Sequence, residues 1–415
     1  MLAPSAASRT KRQEFARGWP VIVAAFTGAM FGISAIPFYT LGLFVKPVGE
    51  AFGWSRETVQ WGFTAQMLGM LCVSWLWGAW MDRVGARRVA LVAQLGFGLG
   101  LIGLALVQSF PGWLAAWFLV ALLGAGTSPV TWTRGLAGWF DAARGTAFGL
   151  ALAGTGAMAF LAPPVLAPFI EAHGWRAAYV GLGASVLLVA LPLSWLMFRD
   201  APASQAVGRA AVPAAGPTRA QILRSPRFWL MFVVFFAITF AVGGIIPSII
   251  PLLSDRGMAR ADAAGYAAIV GIAVVAGRIV AGMALDRFDA RHVALVFLTL
   301  PALSCLLLAS DALPAGPALG LAVALVGLAA GAEFDLAAFM VSRWFGMQAF
   351  GVAYAILTIG MLVGGGFAPP VFGRIFDQTG SYDTALLIAG GIFLVAPLLM
   401  QGMGRSPPEL RPAHA

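Results

Sequence analysis

Long apolar runs separated by short polar segments recur along the whole chain. Each run is about 20 residues long, the length that an α-helix needs to cross about 30 Å of hydrocarbon. Because lipid offers the backbone no hydrogen-bonding partners, these runs are predicted to be helices and the chain an all-α integral membrane protein. The twelve predicted spans cover residues 19–45, 57–81, 88–109, 112–137, 145–169, 175–198, 227–253, 262–285, 291–310, 315–341, 349–373 and 383–404.

The composition agrees with a membrane environment. Sixty per cent of the residues are apolar and 10% are charged, whereas a soluble domain carries about 25% charged residues. The first apolar run is longer than a signal-peptide core and lacks a small-residue cleavage site, so it is predicted to be the first span. Cys72 and Cys305 lie inside apolar runs, where we expect small core residues rather than a disulfide or a metal site.

The basic residues indicate an orientation. With the N-terminus inside, the predicted cytoplasmic segments hold 18 Lys and Arg residues and the opposite side holds six. Basic loops stay in the cytoplasm, so we expect both termini inside a cell inner membrane and no nucleic-acid partner for the net charge of +9. The predicted domains are a cytoplasmic tail (1–18), a six-helix bundle (19–198), a passive cytoplasmic linker (199–226), a second six-helix bundle (227–404) and a cytoplasmic tail (405–415).

Two motifs occur twice, once in each half. The motif Gly78-x-x-x-Asp82-Arg83-x-x-Ala86-Arg87 recurs 204 residues later as Gly282-x-x-x-Asp286-Arg287-x-x-Ala290-Arg291. Trp139-Phe140 with Gly145-x-Ala147 recurs as Trp344-Phe345 with Gly351-x-Ala353, at an offset of 205 to 206. Two matches at nearly one offset indicate duplication of a six-helix unit, which is typical of carriers whose halves rock around a midplane site.

Residues 78–88, after the second span, resemble the signature loop of the major facilitator superfamily. We expect Gly78 to allow close helix approach, Gly85 to form a tight turn and Asp82 to accept hydrogen bonds from a neighbouring helix N-terminus. The loop is then a conformational latch; topology-determining charge alone is the alternative. Because Asp289 and His292 replace a glycine and an arginine in the second copy, that copy is expected to be weaker. The predicted latch residues are Gly78, Asp82, Arg83, Gly85, Arg87, Arg88, Asp286, Arg287 and Arg291.

Within that superfamily the chain resembles the monocarboxylate and oxalate/formate carrier branch. The likeness covers nearly the whole chain and implies two pseudo-symmetric six-helix bundles around a central substrate site. It also implies that Arg278, at the matching position of the eighth span, binds the substrate carboxylate. The segments that carry the likeness are Pro37-Phe38-Tyr39, 44–47, 52–56, Trp139-Phe140, Arg144-Gly145, 224–229, Gly277-Arg278 and 331–336.

Charges inside the predicted spans are independent candidates for the site. Each costs at least ~2.5 kcal/mol at bilayer depth, so it usually faces a partner or a cavity. Arg278 can hold a carboxylate through two parallel hydrogen bonds; a permanent ion pair with Glu333 or Asp335 is the alternative. Arg134, in the fourth span, is expected to be a gate or loop partner rather than a ligand contact.

Glu333 and Asp335 are two residues apart and point to different sides of a helix, and we favour Glu333 for the cavity. A buried carboxyl group favours its protonated form, so Glu333 is the predicted proton-coupling residue; a packing or gate role is equally open. Tyr39 and Tyr354 lie at cavity depth and are expected to hydrogen-bond an anion, unless they are ordinary packed tyrosines.

The chain also departs from the branch it resembles. Animal monocarboxylate carriers have a lysine where this chain has Tyr39 and an aspartate where it has Val274, and oxalate carriers have a lysine where it has Leu357. One fixed cation is therefore evident in the predicted cavity, which favours a monoanion over a dianion.

The sequence thus predicts a secondary active transporter of a small organic monoanion, a monocarboxylate, that works by alternating access as a monomer in membrane lipid. Proton symport is left open. An exporter of amphipathic drugs or metabolites, or a non-transporting membrane sensor, is the alternative. No cofactor, metal or catalytic residue is expected, and an enzyme is not predicted, because no His, Cys or acidic set clusters at one membrane face.

Overall fold

The computed structural model describes residues 10–201, 219–310 and 314–404, and within these ranges the chain forms fourteen α-helices. A 3₁₀ turn (Ala125–Thr127) joins the fifth helix to the sixth, and a π-helical segment (Val186–Ala190) joins the seventh to the eighth. The helices are α1 (Lys11–Met30), α2 (Ile36–Phe52), α3 (Arg56–Val84), α4 (Ala86–Leu104), α5 (Phe110–Gly124), α6 (Pro129–Ala137), α7 (Arg144–Ser185), α8 (Leu191–Met197), α9 (Arg219–Leu223), α10 (Pro226–Asp255), α11 (Arg260–Leu285), α12 (Ala290–Leu308), α13 (Pro317–Thr379) and α14 (Asp383–Gln401).

Nine helical stretches in the described part of the chain are long and apolar enough to cross a membrane. One of them, Arg144–Met197, has 54 residues, far more than the roughly 20 that one crossing needs, and is broken at Gly174, where φ is +80°. In α13, Gly346 makes the equivalent break with φ +71° and separates two of the nine stretches, Pro317–Gly346 and Phe350–Thr379. The predicted all-α fold of about twelve spans in two six-helix bundles is confirmed.

The first and fourth spans are each interrupted, although we predicted continuous helices. The second part of each has a proline at its start: Pro37 is the second residue of α2, and Pro129 is the first residue of α6. A proline lacks an N–H and clashes with the carbonyl of the preceding turn, so it disfavours a continuous helix. The two breaks lie against each other, because the Ile33 N–H donates to Thr127 Oγ1 at 3.0 Å. Gln66 Nε2 donates to the Ile33 carbonyl at 3.3 Å, so both backbone groups of Ile33 have hydrogen bonds within the first break.

The two cysteines occupy different environments. Cys305 is buried, as expected, but Cys72 is exposed, and the expectation that it belongs to the core is wrong. It shares the outward face of α3 with Leu68, Trp75 and Leu76, which are 42%, 68% and 49% exposed. That stripe is apolar because it faces lipid rather than protein.

Candidate functional site

Arg278 on α11 and Asp335 on α13 form an ion pair between the Nε and Oδ2 atoms at 3.2 Å. Their side chains remain 22% and 41% exposed, so the pair is not sealed in the core. Nε of Arg278 has no well-aligned hydrogen bond with any described residue. The contact is therefore electrostatic, and the guanidinium keeps donors that another carboxylate can use.

Two glycines bring these helices together. A Cβ atom at Gly331 would collide with the carbonyl of Val274, and a Cβ atom at Gly277 would collide with the carbonyl of Leu328. Gly331 also lies directly against the backbone of Arg278. Because both contacts need glycine, α11 and α13 pack backbone to backbone, and this places Arg278 beside Asp335.

Glu333 does not have the position that we favoured for it. Its side chain is buried, with 4% of the residue exposed, and its Oε2 atom has no hydrogen-bond partner among the described residues. Asp335, not Glu333, contacts Arg278. Two positions along a helix turn a side chain by more than half a revolution, so α13 offers only one of the two acids to Arg278.

Tyr39 and Tyr354 both lie near the ion pair. Tyr39, on α2 in the first half, interacts electrostatically with Arg278 and Glu333. Tyr354, on the second part of α13, interacts electrostatically with Asp335 and Arg278. The structure therefore brings Tyr39, Arg278, Glu333, Asp335 and Tyr354 together from both halves of the molecule.

The halves are joined at one end of the molecule, here called the Arg56 face. Arg56 at the start of α3 binds Asp255 at the end of α10, and its guanidinium lies 3.5 Å from the centre of the Phe376 ring. Asp377 accepts hydrogen bonds from the backbone N–H groups of Arg56 (3.2 Å) and Glu57 (2.9 Å). We did not identify this cluster from the sequence, since its acids sit at helix ends that hydropathy treats as ordinary loop residues.

At the opposite end, here called the Asp82 face, the halves are apart. On the α7 face that meets α11, Gly156 packs against Gly271, but Gly149, two turns away, faces open space. On α3, Met67 contacts Gly366 of α13, whereas Gly78, three turns away on the same side, faces open space. Both helix pairs thus close at the Arg56 face and diverge towards the Asp82 face, which leaves an entrance to the central site.

The first latch loop is ordered within its own half. Arg134 forms an ion pair with Asp82 of this loop. Gly85 has φ +87°, as its predicted turn requires. It is Asp200, rather than Asp82, that accepts hydrogen bonds from the N-terminus of α4, from the N–H groups of Ala86 (3.0 Å) and Arg87 (3.2 Å).

Two expectations for this loop are therefore corrected. Asp82 contacts an arginine instead of a helix N-terminus, because Asp200 already occupies the N-terminus of α4. Gly78 makes no close helix contact, because the halves have separated at this face. Arg83 and Arg88 are exposed, and Arg87 Nη2 donates to the Trp195 carbonyl at 2.7 Å.

The second copy of the loop is held differently. Asp286 and Arg287 are exposed, and Arg291 pairs with Asp289 at 3.2 Å. Partial burial opposes ionisation of Asp289, but the hydrogen bonds and positive charge of Arg291 prevail and hold the pKa of Asp289 below its usual value. Asp289 therefore caps α12 in place of the glycine turn of the first copy.

Among the described residues, no group of three or more His, Cys, Asp and Glu side chains could hold a metal ion. The charged groups near the centre are thus one guanidinium and two carboxyl groups on adjacent helices. This arrangement can bind and release an ionised solute, but it presents no nucleophile activated by a neighbouring base.

Comparisons with known proteins identify relatives that are named as transporters. The chain is 29% identical over 428 residues to human monocarboxylate transporter 11, covering 95% of this chain and 85% of that protein. It is 26% identical over 384 residues to the probable sulfoacetate transporter SauU of Cupriavidus necator, covering 81% and 85%. It is 25% identical to the oxalate:formate antiporter of Oxalobacter formigenes over 53% of this chain and 52% of that protein.

A solved structure has the same fold. It is a bacterial homologue of the human lysosomal transporter Spinster in an inward-facing and occupied conformation, and it superposes with a TM-score of 0.68. The match covers 98% of this chain and 100% of that chain at 18% identity. The sequence also matches the Major Facilitator Superfamily over residues 22–310 and 244–414, so the chain belongs to this family of multi-pass membrane transporters.

Proposed function

We propose that this transporter moves a small organic monocarboxylate by alternating access and that Arg278 binds the carboxylate. The observation that carries the proposal is the position of the Arg278 guanidinium, which faces one partly exposed carboxylate and a tyrosine from each half. A guanidinium matches a carboxylate through two parallel hydrogen bonds. Relatives named for monocarboxylate and oxalate:formate transport favour the same class of substrate.

The balance of charge between Arg278, Asp335 and the substrate anion suggests that a proton binds together with the substrate. Arg278 is already neutralised by Asp335, so a substrate anion must compete with that carboxylate for the guanidinium. A proton on Asp335 removes the competition and keeps the occupied site electrically neutral. We therefore assign the proton-coupling step to Asp335. Glu333 is buried, and its Oε2 atom has no hydrogen-bond partner among the described residues, so we keep it as a neutral neighbour of Tyr39.

We further propose that the Asp82 face is cytoplasmic, in agreement with the predicted excess of basic residues there. The conformation described above is then open to the cytoplasm of an inner-membrane carrier. Residues 19–198 and 227–404 are the two rocking bundles, with Asp82 and Arg134 in the cytoplasmic latch. The linker 199–226 joins the bundles. Residues 202–218 of this linker, residues 1–9 of the first tail and the whole tail 405–415 lie outside the described residues.

Uptake into proteoliposomes tests this function. Formate, lactate, pyruvate and oxalate are offered with and without an imposed pH gradient, to the unaltered protein and to Arg278→Ala, Arg278→Lys and the control Arg260→Ala. Arg278→Ala is expected to abolish carboxylate uptake, and Arg278→Lys to restore it only in part, because an ammonium cannot form the parallel pair of bonds. Unchanged uptake by Arg278→Ala rules out the proposed site, and drug uptake in its place supports the exporter alternative.

A further inference from the structure

The entrance to the central site has an aromatic wall. The rings of Phe350 and Tyr354 lie one helical turn apart on α13 and stack with centroids 5.3 Å apart and an angle of 12°. Tyr354 interacts with Arg278, and Phe350 lies one turn nearer the Asp82 face. The two rings therefore form a stepped aromatic surface, an offset stack that extends from the entrance towards the guanidinium.

This surface packs against core residues on one side and borders the open cleft on the other. Both rings are partly exposed, and the neighbouring Gly351 faces open space. Tyr39, which interacts electrostatically with Arg278 from the first half, packs edge-on against Phe38, with centroids 5.0 Å apart and an angle of 72°. An apolar body held by its carboxylate on Arg278 thus has aromatic rings of both halves in its neighbourhood.

The aromatic rings determine which apolar group of a bound carboxylic acid is preferred. Aromatic rings prefer offset-stacked or edge-to-face partners and gain more from them than from burial of area alone. Acetate and lactate have no ring and therefore cannot make such a contact. A benzoate-like acid can place its carboxylate on Arg278 and its ring against the adjacent rings of Tyr354 and Phe350.

We propose that the preferred cargo is an aromatic monocarboxylate, with its carboxylate on Arg278 and its ring on the surface formed by Phe350 and Tyr354. This inference rests on the proposed function and adds the chemical class of the substrate's apolar body. It assigns Phe350 as a specificity-determining residue, because its phenyl group has no hydrogen-bond donor for a carboxylate and can act only through its ring.

The test is competition for uptake in proteoliposomes between benzoate or phenylacetate and acetate or lactate. In the unaltered protein the aromatic acids are expected to compete at lower concentration. Phe350→Leu is expected to weaken the aromatic acids by roughly 2- to 12-fold, the size of one ring–ring contact, and to leave the aliphatic acids unchanged. Phe350→Tyr should retain aromatic preference, and Phe118→Leu, on a partly exposed ring of α5, is the matched control.

The outcomes separate this inference from the proposed function. Equal competition by aliphatic and aromatic acids in the unaltered protein overturns the aromatic preference, as does an equal loss for both classes in Phe350→Leu. Arg278→Ala should abolish uptake of both classes in either case. If it leaves carboxylate uptake intact, the proposed function itself fails. The competition in the unaltered protein needs no variant, so a misfolded Phe350→Leu protein does not prevent a decision.

Discussion

Arg56 binds Asp255 through two parallel hydrogen bonds, from Nη1 to Oδ2 at 2.7 Å and from Nη2 to Oδ1 at 2.8 Å, and so ties α3 of the first half to α10 of the second. Nη1 of Arg56 also donates to the Tyr382 hydroxyl oxygen at 3.0 Å. Paired bonds between a guanidinium and a carboxylate are among the stronger contacts available to side chains. They hold together two bodies that must separate before the carrier can open at the Arg56 face.

Removal of this contact should shift the carrier towards the state that is open at the Arg56 face. The side chains of Arg56 and Asp255 are 17% and 26% exposed, so solvent weakens the pair. We expect Arg56→Ala or Asp255→Asn to move the equilibrium by about 1–2 kcal/mol, a factor of roughly 5 to 30. Thiol labelling of a cysteine placed near Gln60, in a background without Cys72 and Cys305, measures the shift.

The control for that experiment is Arg256→Ala. Arg256 pairs with Asp383 at 3.0 Å, also at the Arg56 face but within the second half. Its loss removes a similar charge pair without releasing the two halves. If Arg256→Ala increases labelling as much as Arg56→Ala, the contact between the halves is not what holds this face closed.

The empty space beside the glycines at the Asp82 face predicts a second way to shift the equilibrium between the two open states of the carrier. A tryptophan at Gly149 fills space that is empty now but must close when the halves meet at this face. Gly149→Trp should therefore fold normally, bind substrate from the open side and lose net transport. Substrate-dependent thermal stabilisation in detergent, compared with uptake in proteoliposomes, measures both properties. Gly391→Trp, on an open position of α14, should transport normally, and inactivity of both variants would contradict the explanation.

Substitutions of Asp335 and of Glu333 should have different effects on the pH dependence of substrate uptake. Asp335→Asn removes the carboxylate that competes for Arg278, so we expect uptake to continue without stimulation by an inward proton gradient. Glu333→Gln should retain the stimulation, because Glu333 makes no ion pair with Arg278 in this structure and lies buried. Uptake of labelled substrate at several external pH values measures this. The assignment is wrong if the gradient dependence is lost in Glu333→Gln and retained in Asp335→Asn.

The close packing of α11 and α13 predicts a large effect from a small substitution. A methyl group at Gly331 would collide with the carbonyl of Val274, so α13 would have to move away from α11. Overpacking of this kind costs about 1–3 kcal/mol. Gly331→Ala should lower the thermal unfolding temperature in detergent and reduce uptake, because Arg278 and Asp335 would separate. Gly391→Ala has free space for its methyl group and should be as stable as the unaltered protein, or more so.

The helical architecture could be predicted because lipid leaves the chain few options. Apolar runs of membrane-spanning length must satisfy their own backbone hydrogen bonds, and the repeated motifs around Gly78 and Gly282 revealed the two halves. The breaks before Pro37 and Pro129 were missed because hydropathy does not respond to a lost N–H. Both prolines were visible in the sequence, so a test for helix breakers inside apolar runs would have found them.

The site could be predicted only in part. Arg278 stood out because a guanidinium inside an apolar span needs a partner, but the identity of that partner depended on the rotation of α13 about its axis. Sequence spacing left both Glu333 and Asp335 possible, and the backbone contact at Gly331 selects Asp335. The contact between Arg56 and Asp255 joins residues 199 positions apart, and local sequence does not reveal such a pairing.

The sequence by itself determined that the protein lies in a lipid bilayer, where its helices span that bilayer, that its two halves are duplicated, and which charged residues must find partners inside the membrane. These follow from the cost of exposing polar groups to hydrocarbon, which each segment meets independently of its neighbours. The tertiary structure decided which acid faces Arg278, which face of the molecule is closed, and which rings border the entrance. Those outcomes depend on how whole helices approach one another, and that is set by contacts between residues far apart in the chain.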